Sequence, residues 1–360
     1  MRLRPSPNWL LLFVPVSILL NHSERASPAL VFFAAALAIV PAARLIVQGT
    51  EHIATRTGSA VGGLLNATFG NLPELIIATV ALRSGLLEMV RASIIGAILA
   101  NLLMALGVAL LVGGVRYHNQ EFNARAARVY SSMMLMAAIS LTVPSAFNRV
   151  FAPEETLREE ALLNVGLALV LLAAYVLYLV FMLKTHPEEF AGDAGAAPAH
   201  EGPPWSLPRA IAGLLTASVL AAWMSEVLVG AAEATGAALG MSDVFTGIVV
   251  LAIVGGAAES GSAIAMARGN RMDLAVGIAL GSCIQIALFV APVLVLASYV
   301  LAPRPLELSF SRPEIGSLFM AVLIGAHVAG NGRANWYKGV QLVTVYLIIA
   351  LMFYLLPTAS

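Results

Sequence analysis

Long apolar stretches separated by short polar segments extend along the whole chain. A helix that crosses a membrane needs about 20 consecutive, mostly apolar residues. The pattern therefore predicts eleven spans, at approximately residues 6–21, 27–48, 60–82, 89–114, 125–146, 161–184, 207–236, 243–267, 272–300, 313–329 and 336–357. The first is short and follows two arginines, but no small-residue cleavage site follows Leu20, so we interpret it as a helix rather than a signal peptide.

Composition agrees with an all-α polytopic membrane protein. Hydrophobic residues make up 59% of the 360 residues and charged residues only 11%. The formal net charge is zero, which gives no reason to expect nucleic acid as a partner. The single cysteine, Cys283, excludes an internal disulfide. The chain has no Walker A sequence, no HExxH pair and no GxSxG motif, so we expect neither an ATP-driven pump nor an enzyme.

The third span carries polar residues that an ordinary membrane helix lacks. They are Asn66, Thr68, Asn71 and Glu74. A carboxylate at membrane depth is costly unless it faces a cavity or a partner. The neighbouring Gly70 and Pro73 are residue types that loosen a helix and free backbone carbonyls. Carboxylate, amide and carbonyl oxygens together suit a hard cation. The alternative is a protonated glutamate that only packs.

The segment 249–285, in spans eight and nine, repeats the corresponding part of spans three and four without a gap, at one constant shift in residue number. Glu259 corresponds to Glu74, since 259 − 74 = 185, and Gly281 corresponds to Gly96 at the same shift. Small residues often match by chance, but a membrane-embedded glutamate followed by an arginine at one register does not. Interrupted helices at corresponding positions of two halves are typical of a transporter with its binding site at the repeat interface.

The distribution of Lys and Arg predicts a cytoplasmic N-terminus, with 13 of these residues on that side and 7 on the other. With eleven spans, the two glutamate-bearing spans cross in opposite directions. Residues 27–184 and 207–360 would then be inverted five-helix repeats, preceded by an extra helix in residues 1–26. Residues 185–206 are rich in Ala, Gly, Pro and acidic side chains and are interpreted as a flexible cytoplasmic linker.

Amides on two further spans could complete the site. Asn101 and Gln285 follow the matched glycines of spans four and nine, and Ser282 is a weaker candidate nearby. Each amide could orient the carboxylates or coordinate the ion, or it could only join two helices by a hydrogen bond.

Three further carboxylates could form an ion route. Glu226 and Glu233 are seven residues apart and so lie nearly on one face of span seven, and Glu51 precedes span three. The alternative is that all three are ordinary charged residues at helix ends.

Five segments resemble the calcium/proton exchanger family, within the cation/calcium exchanger superfamily. They are GGLLNATFGNLPELI at 62–76, ASIIGAILANLLMALG at 92–107, SEVLVGAAE at 225–233, GSCIQIALFVAP at 281–292 and NWYKGVQLVTVYLIIALMFYLLP at 335–357. The resemblance implies an eleven-span antiporter that exchanges Ca²⁺ for H⁺, with Glu74 and Glu259 as ion ligands and proton acceptors. The second repeat departs from the family pattern, because GGAAES at 255–260 replaces the usual GNAAEH and so lacks a histidine associated with proton coupling.

Two carboxylates at the membrane midplane could cancel the charge of a divalent cation, and they could not both stay ionised once that cation left. We therefore expect a secondary Ca²⁺/H⁺ antiporter that works by alternating access, with Ca²⁺ as its substrate and no cofactor. We expect it in the lipid bilayer of a prokaryotic inner or plasma membrane. Two other functions stay open, a Na⁺ or K⁺ exchanger on the same scaffold and a membrane protein that transports nothing.

Overall fold

The computed structural model describes residues 7–23, 25–56, 62, 64–65, 68–151, 157–190 and 205–356. These residues form twelve principal helices: α1 (Trp9–Asn21), α2 (Pro28–Ala54), α3 (Leu72–Arg83), α4 (Leu87–Tyr117), α5 (Ala124–Ala146), α6 (Arg158–Thr185), α7 (Leu207–Leu239), α8 (Asp243–Gly255), α9 (Ala257–Arg268), α10 (Met272–Leu301), α11 (Arg312–Ala329) and α12 (Trp336–Leu355). Two short strands, β1 (Gln120–Glu121) and β2 (Arg333–Ala334), pair antiparallel.

Seven of these helices are long and apolar enough to cross a membrane, namely α2, α4, α5, α6, α7, α10 and α12. Together α8 and α9 would make an eighth span, bent by 57° between them. The prediction of a helical membrane protein is confirmed. The count of eleven stays a prediction. Helix α1 is short, and α11, with 18 residues, is not among these seven helices. Most of residues 57–67 before α3 lie outside the described part of the chain.

The helix boundaries reproduce the repeat found in the sequence. Both α3 and α9 have 12 residues, and they start and end at the same shift that relates the two glutamates. The starts of α4 and α10 are related by this shift as well. The residues before α3 and α9, Asn71 and Gly256, have similar backbone torsions, with φ −96° and ψ 24° in the first and φ −79° and ψ 13° in the second. The two copies therefore fold into the same break followed by the same short helix.

Small residues bring α2 and α7 close together along much of their length. Ala42 and Ile46 of α2 meet Ala217 and Ala221 of α7 in one buried cluster. Membrane helices commonly associate through small side chains, because close backbone approach increases the van der Waals contact between them. This pair also contacts α3 and so forms one wall beside the first break.

Residues 306–310, between α10 and α11, form an extended segment in which alternate side chains are buried. Leu306, Leu308 and Phe310 alternate inward, each at most 1% exposed. Their backbone N–H groups donate to Ser298 Oγ at 2.8 Å, Asn164 Oδ1 at 2.9 Å and Ser145 Oγ at 2.7 Å. Buried backbone outside a helix needs such acceptors. The sequence analysis treated these residues only as a connection between spans, whereas here they form part of the core.

We expect Ser145→Ala to lower the free energy of unfolding by about 1–3 kcal/mol, because it leaves the buried N–H of Phe310 without its acceptor. Thermal unfolding of the detergent-solubilised protein measures this. The matched control is Ser132→Ala in the same helix, which removes an exposed hydroxyl bonded to Val129 O of its own turn. Equal melting temperatures for the two variants would contradict the prediction.

Candidate cation site

The two repeat glutamates lie in equivalent places. Glu74 is in the first turn of α3 and Glu259 is in the first turn of α9. Their side chains are 8% and 7% exposed, and none of the four carboxylate oxygens has a hydrogen-bond partner among the described residues. The positive end of a helix dipole favours an anion at this position. The two breaks thus hold a pair of buried carboxylates without hydrogen-bond partners among the described residues.

The carboxylate of the first repeat lies against the break of the second. A Cβ added to Gly255 would be 2.9 Å from Glu74 Cγ, closer than two carbon atoms normally approach. A Cβ added to Gly256 would be 3.7 Å from Glu74 Oε1. The absence of a side chain at Gly255 therefore lets Glu74 approach the break that precedes α9.

The predicted amides lie beside the two breaks. Asn71 Nδ2 donates a hydrogen bond to Gln285 Oε1, which joins the first break to α10 of the second repeat. Asn101 on α4 lies beside the second break, where a Cβ on Gly256 would be 3.5 Å from its Oδ1. Both asparagines are 1% exposed. The structure thus brings amides of both repeats to the two breaks.

Both amide-bearing helices depart from α-helical geometry at the site. A π-helical segment, Ala100–Ala105, contains Asn101, and another, Ile286–Val290, begins directly after Gln285. A π-helical turn shifts the side chains that follow it and is frequent at functional sites. The sequence analysis did not predict these turns, since no residue pattern in either segment marks them.

A small cavity of about 20 Å³ opens beside Glu74. Its walls come from α3, α4, α8 and α10, and Glu74 and Ser93 are its polar lining residues. The apolar lining residues of α3 follow Glu74, and those of α10 follow Gln285, so the cavity extends from the site towards the ends of these two helices.

None of the contacts described above involves the remaining candidates. Ser282 is buried on α10, three residues before Gln285. Glu226 and Glu233 are exposed on α7, and Glu51 is partly buried near the end of α2. Asn66 lies outside the described residues. A role for Ser282 in binding, and for the three glutamates as an ion route, stays a prediction.

The site and its two repeats can be compared with known proteins. The chain matches the sodium/calcium exchanger protein family over residues 27–184 and 209–355. It belongs to this family. The resemblance to exchangers expected from the sequence motifs is confirmed.

Several members of this exchanger family are similar over nearly their whole length. The Ca²⁺/H⁺ antiporter of Aphanothece halophytica is 39% identical over 362 residues, covering 97% of this chain and 96% of that protein. The Ca²⁺/H⁺ antiporter ChaA of Bacillus subtilis strain 168 is 38% identical over 346 residues, covering 95% and 97%. The structure of native YfkE matches with a TM-score of 0.84 and 35% identity, covering 98% of this chain and 100% of that one.

We expect Gly255→Ala to destabilise the exchanger by roughly 1–3 kcal/mol, because its Cβ would overlap Glu74 Cγ in a packed site. Thermal unfolding in detergent measures the change. The matched control is Gly261→Ala on α9, where no atom of the described residues lies within 4 Å of the added Cβ. That control should gain up to about 1 kcal/mol, since alanine is the better helix former. Changes of the same sign in both variants would contradict the close approach.

Proposed function

We propose that this protein is a secondary active antiporter that exchanges Ca²⁺ for H⁺ across a prokaryotic plasma membrane. The observation that carries the proposal is the pair of buried carboxylates, Glu74 and Glu259, which have no hydrogen-bond partner among the described residues. The names of the relatives support the choice of ions, because two Ca²⁺/H⁺ antiporters are 39% and 38% identical to nearly the whole chain.

The chemistry of the site suits a divalent cation. Two carboxylates cancel its charge, and Ca²⁺ takes six to eight oxygen ligands in a flexible geometry. Asn71 Oδ1 is buried without a partner among the described residues, and Asn101 Oδ1 is in the same condition, so both oxygens are available as ligands. Backbone carbonyls at the end of α8 lack helical partners and can add to them. Water completes the shell.

Competition for the same carboxylates would couple the two ions. When Ca²⁺ leaves, two buried like charges cannot both persist, so at least one carboxylate takes up a proton. Proton release is then required before the next Ca²⁺ binds. Ser260 stands directly after Glu259 and does not titrate in the physiological range, so this coupling uses the carboxylates alone. The same residue and Gly256 favour the second candidate, a Na⁺ or K⁺ exchanger, because they reduce the number of ligands.

We further propose eleven spans arranged as two inverted repeats that alternate access to the site. The matching boundaries of α3 and α9 support this. A Cβ added to Gly96 on α4 would be 2.3 Å from Ile248 O, so α4 and the segment before the second break are in backbone contact. The two repeats thus meet directly beside the site, where rocking one repeat against the other would change access to it.

We expect Glu74→Gln and Glu259→Gln each to abolish exchange, because a single carboxylate can neither balance a divalent charge nor compete for its proton. Everted membrane vesicles with an imposed pH gradient measure uptake of Ca²⁺, Na⁺ and K⁺ in parallel. Glu121→Gln, in an exposed ion pair with Arg333, is the matched control and should retain wild-type flux.

Near wild-type flux in either glutamine variant at saturating ion would rule out the two-carboxylate site. If the wild type moves Na⁺ or K⁺ but not Ca²⁺ with the pH gradient, the monovalent exchanger is the correct function. If it moves no cation at all, the protein is not a transporter of these ions.

The inverted arrangement predicts that the connections after α4 and after α10 face opposite sides of the membrane. We therefore expect Asn119→Cys to react with a membrane-impermeant thiol reagent only from the cytoplasm, and Arg304→Cys only from outside. Both positions are exposed, and Cys283→Ser provides the background, since Cys283 is fully buried. Labelling of both variants from one side would leave a parallel duplication.

A further inference from the structure

The two repeats differ at one position that touches the site. In the first repeat Asn71 donates its amide hydrogen to Gln285 Oε1. The matching position of the second repeat is Gly256, which precedes α9 as Asn71 precedes α3 and has similar backbone torsions. A Cβ built at Gly256 would be 3.5 Å from Asn101 Oδ1. An amide there could therefore reach Asn101 as Asn71 reaches Gln285, but the chain has none.

The missing amide leaves Asn101 with its hydrogen-bonding capacity unused. Its side chain is 1% exposed, and neither Oδ1 nor Nδ2 has a partner among the described residues. A buried polar group in this condition calls for a functional explanation or for a bound water or ion. The space above Gly256 also borders Glu74, because the same Cβ would be 3.7 Å from Glu74 Oε1. It thus lies between an unused amide and a carboxylate of the cation site.

We infer that position 256 determines which divalent cations the site accepts, an inference that rests on the proposed cation exchange. With glycine at this position, Asn101 Oδ1 binds the cation directly, and the space that a longer side chain would fill holds one water of the coordination shell. In the other half of the site, Gln285 orients Asn71. The oxygen ligands on the side of Asn101 and Glu74 can therefore adjust to the ion more easily than the ligand on the side of Asn71.

A water in the shell adjusts its position to the radius of the ion more easily than a fixed protein oxygen does. Larger alkaline-earth ions tolerate flexible shells of oxygen ligands, whereas Mg²⁺ demands near-octahedral geometry and dehydrates reluctantly. The site with Gly256 should accordingly bind Sr²⁺ almost as well as Ca²⁺. A site with an amide at position 256 should discriminate against the larger ion.

Isothermal titration calorimetry of the purified full-length protein in detergent, at fixed pH, tests this with Ca²⁺ and Sr²⁺ as the titrants. We expect Gly256→Asn to raise the ratio of the Sr²⁺ to the Ca²⁺ dissociation constant by roughly fivefold or more, since specificity is a difference of two affinities. Gly256→Ala is the matched control, because it adds volume without an amide, and it should change the ratio less.

Variants at Asn101 separate a ligand from a packing residue without depending on the fold of Gly256→Asn. Asn101→Ala should weaken Ca²⁺ binding by about tenfold, the loss of one charge-assisted contact, whereas Asn101→Asp, which keeps an oxygen at that place, should retain it. In the Gly256→Asn background, Asn101→Ala should weaken Ca²⁺ binding less, because the amide of Asn101 would already be hydrogen-bonded to the side chain at position 256.

An unchanged Sr²⁺ to Ca²⁺ ratio in Gly256→Asn, or equal Ca²⁺ affinities for Asn101→Ala and Asn101→Asp, would overturn the inference and leave Ca²⁺/H⁺ exchange intact. If the wild-type protein binds neither ion, the proposed function fails and the inference fails with it.

Discussion

Two carboxylates buried inside a membrane protein constrain everything around them. A buried charge is strongly unfavourable without a compensating partner, and a glutamate at membrane depth persists only where the structure provides for it. The breaks before α3 and α9 provide helix N-termini in the interior, where Glu74 and Glu259 gain from the helix dipole. The amides of α4 and α10 add polar surroundings that continuous apolar helices would lack. A bound cation or a proton supplies the remaining compensation for the charge of the two carboxylates.

Features that act locally could be predicted from the sequence. Glycine and proline interrupt a helix wherever they stand, and a glutamate in an apolar run is visible without knowledge of the fold. For this reason the internal repeat predicted two equivalent breaks, and the boundaries of α3 and α9 are related by the shift that the sequence shows. The candidate amides Asn101 and Gln285 were identified by the same reasoning, because they follow glycines that match in the two copies.

Features that depend on contacts between distant residues could not be predicted. Asn71 and Gln285 are 214 residues apart, and no local pattern assigns one as the partner of the other. The π-helical turns of α4 and α10 also have no sequence signature here. One pattern in the sequence does indicate the buried extended segment between α10 and α11. Leu306, Leu308 and Phe310 alternate with polar residues, which is the period of an extended segment with one buried face.

Duplication gave this exchanger two similar backbones, but the side chains of its two halves have diverged. Equivalent backbones allow each half to adopt the packing of the other, which is the condition for moving one site between two sides of a membrane. Gly96 and Gly281 keep that equivalence, since both positions lack a side chain. Asn71 and Gly256 break it beside the two buried glutamates. In the proposed exchange, symmetry of the backbone would serve movement, while asymmetry of the side chains would decide how the ion is held.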